Sequence, residues 1–156
     1  MVESKVIKIK TNPLKFGDLF GGAGGLSTGF HLGGFKSVFF NEINSTSAQT
    51  HLANFPDSIP FVRPIQDLTA KMICREAGVG KGDLDVMIGG PPCQGFSINA
   101  PNRNTEDPRN GLFQHYVRLV LEGLRPKFIL MENVPGLLSL DNGQTLKKVK
   151  NAFTPF

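Results

Sequence analysis

Cysteine is scarce in this chain of 156 residues: Cys74 and Cys93 are the two present. They form no Cys-x-x-Cys pair and no histidine cluster accompanies them, so neither a disulfide framework nor a zinc site is predicted, and no metal is expected. A reducing, cytoplasmic setting is the default for such cysteine usage. No apolar run approaches the roughly 20 residues that cross a bilayer. The opening MVESKVIKIK also lacks the continuous apolar stretch of a signal peptide, so no membrane association is expected. No internal repeat is present. Charged residues make up 19% against 40% hydrophobic, a balance that argues against disorder and leaves room for a core. The length suits one compact domain rather than two. The charge leans basic, with 17 Lys and Arg against 13 Asp and Glu for a net +4. That mild excess fits a polyanionic partner such as nucleic acid, and equally a soluble domain with spare lysines.

Glycine and proline, by contrast, are plentiful, at 18 and 11, and clustered. After a polar lead over 1–13, strand-like and helix-like segments alternate. Leu14 to Phe20, Ser37 to Asn41, Phe61–Val62, Asp85 to Gly90 and Lys127 to Asn133 read as strands. Gly25 to Leu32, Ser45 to Phe55, Ala70 to Ala77, Leu112 to Leu124 and Thr145 to Phe153 read as helices. Such alternation indicates an α/β domain over 14–156 with a mainly parallel sheet. Ligands sit at the carboxyl ends of the strands in these sheets. Three Gly/Pro-rich segments, 21–25, 89–97 and 134–136, each follow a strand and are therefore predicted to share one edge.

The first of them lies in Asp18-Leu-Phe-Gly-Gly-Ala-Gly-Gly25, between a strand and a helix. Glycines permit a tight turn and close backbone approach, and the helix start offers free N–H groups to an anionic group. A strict Gly-x-Gly-x-x-Gly is absent, since Ser27 stands where the third glycine belongs, and no phosphate-cradling GxxxxGK occurs. Glu42 ends the second strand and is placed to accept from ribose hydroxyls. Ile43 beside it is placed to pack on an adenine face, and Asp67 to accept from an adenine amino group. An ordinary strand–helix turn with solvated acids is the plain alternative.

The second constellation is Gly89-Gly-Pro-Pro-Cys-Gln-Gly-Phe-Ser97. Two prolines stiffen the backbone before Cys93 and remove N–H donors, which presents a thiol rigidly past a buried strand, as a nucleophile requires. Cys74, among Met72, Ile73 and Ala77, reads as a structural cysteine. Glu132 ends the fifth strand after the apolar run Phe128 to Met131. Partial burial there is expected to raise its pKa and suit it to hold a proton; a strand-end carboxylate paired with an Arg is the alternative. If strands four and five are neighbours, ~5 Å apart, Cys93 and Glu132 can reach one substrate ring. His31, His51 and His115 read as structural or solvated.

Three segments together, FGDLFGGAGGLSTGF (16–30), GGPPCQGFS (89–97) and MENVPGLL (131–138), resemble the DNA cytosine-5 methyltransferase family. The stretches FFNEINSTSAQTHLANFP (39–56), IQDLTA (65–70) and DPRNGLFQHYVRLV (107–120) look like further blocks of it. The resemblance implies a Rossmann-like methyltransferase fold with S-adenosylmethionine as methyl donor. Phe20, Gly22 and Gly24 would shape its pocket, with Glu42, Ile43 and Asp67 on the adenosine and Pro92 and Leu112 on the methionine side. It implies a flipped cytosine in double-stranded DNA, attacked by Cys93 and held through N3 by Glu132. Pro91, Gln94, Ser97, Asn133 and Val134 would line the substrate site, and Arg103 and Arg109 in the loop 97–110 would meet phosphates. The match ends near residue 140. The family's base-holding Arg block, DNA-reading region and final blocks are not in this sequence, so the fold is expected to be incomplete, with the fifth strand an exposed apolar edge. A second subunit carrying those blocks, a truncation, or a non-catalytic nucleic-acid-binding or scaffold fragment would each account for this. The chain alone is expected to transfer little or no methyl. A transfer RNA cytosine-5 methyltransferase, and a dinucleotide-dependent oxidoreductase in which the Pro-Pro-Cys-Gln segment has no role, are the competing enzymes.

Overall fold

Apolar runs that are too short for helices and follow turn residues become strands wherever both faces can be covered. In the computed structural model, which describes residues 12–92, 111–139 and 143–155, five such runs pair. They are β1 (Lys15–Leu19), β2 (Lys36–Glu42), β3 (Ile59–Val62), β4 (Val86–Gly89) and β5 (Phe128–Met131). All pairings are parallel, in the order β3-β2-β1-β4-β5. The register sets Leu19 beside both Asn41 and Gly89, Glu42 beside Val62, and Gly89 beside Met131. The five strands therefore end at one level, and the described parts of the predicted segments, 21–25, 89–92 and 134–136, follow them on a single edge; residues 93–97 lie outside the described residues.

The helices begin and end where local chemistry says. α1 (Gly25–Leu32) starts from Gly24 with no side-chain cap. α2 (Ser45–Asn54) is capped by Asn44, which accepts from the Ser47 N–H at 2.9 Å. α3 (Ala70–Ala77) is capped by Thr69 and stops at Gly78 in the left-handed region. The expected helix 112–124 is two structures. α4 (Leu112–Leu119) widens into a π turn over Val120–Leu124, closed by the Arg125 N–H donating to the Val120 carbonyl. Gly123 in that turn lies against Ala70, so near that a β-carbon would overlap it. A short 3-10 turn (Ile65–Asp67) and α5 (Gly136–Ser139), neither expected, precede α3 and α6 (Gln144–Ala152) respectively.

One apolar layer packs Leu19, Phe39, Phe61 and Met87 of the sheet against Ile73 of α3 and Tyr116 and Leu119 of α4. Phe16, Val86 and Ile88 make a smaller cluster with Leu26 and Phe30 of α1. Tyr116 is fully buried and donates its hydroxyl to the Met87 carbonyl at 2.8 Å, which pins α4 to β4. Lys127 and the Lys15 N–H both bind the Asp85 carboxylate, at 2.6 and 2.7 Å, and tie together the starts of β1, β4 and β5. β5 is the open edge anticipated from the sequence: Phe128 is 70% and Leu130 40% exposed. No helix among the described residues is long and apolar enough to cross a membrane.

Candidate functional site

Two cavities open at the carboxyl edge of the sheet, and Phe20 borders both. Phe20 sits at φ 61, a left-handed conformation that costs a non-glycine residue free energy and concentrates at working sites. Gly22 and Gly24 follow with φ 54 and 94. Their roles differ. A β-carbon on Gly22 would meet nothing within 4 Å, so this residue fronts open space. One on Gly24 would come within 3.1 Å of Phe55 and 3.3 Å of His51. Gly24 is thus a glycine for packing and for the α1 start, and is not among the residues lining either cavity.

The loop is held from behind. His51 is buried and stacks on Phe40 at 3.8 Å with rings nearly parallel, and its Nδ1 lies 3.4 Å from the Gly22 carbonyl. Burial pushes the imidazole pKa below its usual range, so the ring is neutral. Of the two readings offered for His51, structural or solvated, the buried ring fits the structural one. Glu42 holds the loop from the front. One carboxylate oxygen accepts from the Gly22 N–H at 2.9 Å and the other from the Asn44 N–H at 2.7 Å. A single acid therefore fixes both the glycine turn and the start of α2.

The first cavity, of about 480 Å³, is lined by Phe20, Asn41, Glu42, Ile43, Pro92 and Leu112, with Arg63, Pro64, Ile65 and Gln66 as its far wall. Five of the expected cofactor residues thus meet: Phe20, Glu42, Ile43, Pro92 and Leu112. Ile43 is 67% exposed, an apolar surface with no protein over it. Asp67 is exposed and follows the lining residue Gln66 without lining the cavity itself. Sequence reasoning did not single out the far wall. It is held by Arg118 of α4, whose guanidinium donates to the carbonyls of Ile65 at 3.3 Å and Leu68 at 2.8 Å. Asn41, buried at the end of β2, donates to the carbonyls of Phe61 at 2.8 Å and Arg63 at 2.9 Å.

The second cavity, also about 480 Å³, is lined by Asp18, Phe20, Gly21, Gly25, Leu26, Gly90 and Glu132. Gly25 and Leu26 bring the uncapped start of α1 to it, with N–H groups free for an anionic group. The Glu132 carboxylate lies beside Gly90, where a β-carbon would come within 3.1 Å of it. Partial burial was expected for Glu132, but its side chain is exposed. The reason is topological: β5 is the sheet edge, so no strand among the described residues flanks its exit on the far side. The buried acid is Asp18. It is fully buried, accepts from the Ser27 hydroxyl at 2.7 Å, and leaves Oδ1 without a hydrogen-bond partner among the described residues. Burial pushes its pKa up to about 7; Ser27 opposes this and the nearby Glu42 charge adds to it.

The exits of β4 and β5 are joined directly. The Asn133 side-chain amide donates to the Pro91 carbonyl at 3.1 Å, and the Val134 N–H donates to the Asn133 side chain at 2.9 Å. This brings together Pro91, Asn133 and Val134 of the expected substrate residues. Cys93, Gln94, Ser97, Arg103 and Arg109 lie outside the described residues. Cys93 is the next residue after Pro92, which lines the first cavity, and Pro92 and Glu132 leave adjacent strands. Among the described residues no cluster of His, Cys, Asp and Glu has the makings of a metal site.

A family model for C-5 cytosine-specific DNA methylases matches residues 14–156. The Type II methyltransferase M.XorII of Xanthomonas oryzae pv. oryzae is 46% identical over 136 residues, which is 87% of this chain and 32% of the relative. The Type II methyltransferase M.AquIA of Picosynechococcus sp. is 37% identical over 84% of this chain and 52% of its own length. Among solved structures, one assigned as a prophage-encoded DNA modification methyltransferase (E. coli) superposes with a TM-score of 0.74 at 38% identity, covering 90% of this chain and 37% of that one. The S. pombe Dnmt2 methyltransferase, at 22% identity and a TM-score of 0.61, shares the fold. The chain thus spans about a third to a half of the length of these proteins, and its sheet is the corresponding part of a Rossmann-like methyltransferase fold.

Proposed function

We propose, for a chain that belongs to the C-5 cytosine-specific DNA methylase family, that it forms the cofactor-binding and nucleophile-bearing part of a DNA (cytosine-5-)-methyltransferase. One observation carries the reading: Phe20 is the common wall of two cavities, one bounded by Glu42 and Pro92 and the other by Glu132. A donor in the first and a pyrimidine reaching the second would be neighbours.

The first cavity fits S-adenosylmethionine. Its apolar walls at Phe20, Ile43, Pro64, Ile65 and Leu112 suit a purine, and Glu42 is an acceptor for ribose hydroxyls. Asp67, one residue beyond the wall, is assigned to the adenine amino group. When bound, the sulfonium supplies an electrophilic methyl group.

The chain's own residues do the rest. The target base is flipped from duplex DNA, because its ring carbons are shielded in the stack. The Cys93 thiolate adds to C6, forming a C–S bond and shifting an electron pair toward C5. Glu132 holds N3 through a proton and offsets the charge that develops on the ring. After C5 has taken the methyl group, it loses its proton to a base and the electron pair expels Cys93, regenerating the thiolate. The Asn133 hydrogen bond to the Pro91 carbonyl keeps the two exits in register during this sequence. Pro91, Gln94, Ser97 and Val134 border the base, and Arg103 and Arg109 contact phosphates. The family's remaining blocks, supplied by a second polypeptide or by further chain, hold the base and read the DNA sequence. A reducing, cytoplasmic setting belongs to the same reading, since a reactive thiolate is lost to oxidation elsewhere.

The test is methyl transfer by this chain combined with a polypeptide carrying the remaining family blocks, using labelled S-adenosylmethionine with duplex DNA or transfer RNA. Label should enter DNA cytosine, and the Cys93→Ser variant should transfer none. Undiminished transfer by that variant, or NAD binding in place of S-adenosylmethionine, would overturn the reading.

A further inference from the structure

A single guanidinium holds both ends of the turn that forms the far wall of the first cavity. Arg118, half-buried on α4, donates to the carbonyl of Ile65 at 3.3 Å and to that of Leu68 at 2.8 Å. Pro64, Ile65 and Gln66 line the cavity and Arg118 does not, so Arg118 acts on the cavity through this turn. Leu112, the first residue of the same helix, lines the cavity directly. α4 therefore supplies one wall and braces the wall opposite.

The brace falls where the turn is weakest. A 3-10 turn of three residues has poor hydrogen-bond geometry and little stability of its own. Its internal bonds are at the long end of the usual range: the Asp67 N–H donates to the Pro64 carbonyl at 3.1 Å and the Leu68 N–H to the Ile65 carbonyl at 3.2 Å. The side chains of Ile65 and Leu68 are buried and anchor the two ends in the core. Gln66 and Asp67, between them, are exposed, so packing does not hold them. Their direction is set by the peptide planes on either side, and Arg118 binds the carbonyls of the two residues that flank them. Asn41 fixes the approach to the turn in the same way, through the carbonyls of Phe61 and Arg63.

The consequence rests on the cavity being the S-adenosylmethionine site proposed above, with Asp67 assigned to the adenine amino group. We infer that Arg118 is a positioning residue for base selection: by clamping the carbonyls of Ile65 and Leu68 it aims the Asp67 carboxylate at the edge of the cofactor's purine. The apolar walls bind any purine; a correctly aimed acceptor rejects one that has no amino group to donate.

The experiment is calorimetric titration of the chain with S-adenosylhomocysteine and with its 6-deamino analogue, in which hydrogen replaces the amino group. The readout is the ratio of the two dissociation constants, because a variant that merely loosens the cavity weakens both ligands alike and leaves the ratio unchanged. The unaltered chain should prefer S-adenosylhomocysteine about tenfold, as for a hydrogen bond to a charged group. Arg118→Met should bring the ratio to within about twofold of one. Arg118→Lys, which keeps the charge without the planar fork, should fall between. Asp67→Ala should also abolish the preference, and adding Arg118→Met to it should change the ratio no further. Thermal midpoints check folding, and Arg118→Lys decides the matter if Arg118→Met does not fold. A ratio that stays near tenfold in the folded Arg118 variants, or a ratio near one in the unaltered chain, overturns the inference and leaves the cavity assignment standing. Failure of the unaltered chain to bind S-adenosylhomocysteine removes the cavity assignment and the inference with it.

Discussion

Replacing Asp18 by Asn should flatten a steep pH dependence of stability, and the structure sets its size and direction. The Asp18 carboxyl is fully buried, and burial raises its pKa from 3.8 to about 7. The unfolded chain gives up this proton near pH 3.8 and the folded chain keeps it until about pH 7. Asp18 therefore contributes its full stabilisation below pH 3.8, and that contribution is lost as pH rises to about 7. Above 7 both states are ionised and the slope vanishes. At ~1.4 kcal/mol for each pH step across the window, the whole effect is at most roughly 4 kcal/mol. Asparagine keeps an oxygen for the Ser27 hydroxyl and cannot ionise. Urea unfolding of the two proteins from pH 4.5 to 8.5 reports mainly this residue, because groups not coupled to it cancel in the difference. Asp18→Asn should gain on the unaltered chain by a few kcal/mol between the ends of that range, with the gain levelling off above pH 7. A difference that stays constant across the range would show that Asp18 is ionised throughout, and the argument from burial would fail.

Other expectations follow from single contacts. Gly24→Ala should cost about 1–3 kcal/mol in urea unfolding, because its φ of 94 disfavours a β-carbon and Phe55 and His51 crowd the space; an unchanged midpoint would contradict this. Tyr116→Phe removes the hydrogen bond to the Met87 carbonyl at 2.8 Å and should cost about 1–2 kcal/mol, measured the same way. Phe128→Lys with Leu130→Lys should reduce self-association of the chain in sedimentation experiments and leave its thermal midpoint within a few degrees, because both side chains lie on an open edge.

The strand and helix pattern was largely legible because apolar runs and the Gly- and Pro-rich turns between them act within a few residues of the structure they set. The π turn over Val120–Leu124 was not; within it Gly123 lies against Ala70 of α3, a contact between segments distant in sequence. At the site, Glu42 and Ile43 were singled out by position and Pro92 and Leu112 by the family resemblance, and all four line the first cavity. Arg63 and Arg118 were missed for one physical reason. An isolated arginine in a turn or on a helix has no local signature, and both acquire meaning from β3 lying beside β2 and α4 lying over the Ile65–Asp67 turn. The two acids exchanged environments. The apolar run before Glu132 suggested burial, but β5 is an edge and its exit is open. Asp18 shares a strand face with Phe16, beneath α1, and Ser27, nine residues on, closes over it.

The central claim is that a thiol at position 93 bonds to C6 of a cytosine. The direct measurement uses duplex DNA carrying 5-fluorocytosine within the sequence that the polypeptide bearing the remaining blocks reads, where the fluorine blocks the final loss of a proton from C5. The chain, combined with a polypeptide bearing the remaining family blocks and with S-adenosylmethionine, should form a covalent complex with that DNA. Peptide mass spectrometry should place the modified base on Cys93, and Cys93→Ser should form no complex. An adduct mapped to any other residue, or methylated cytosine produced with no trapped species at position 93, would contradict the account.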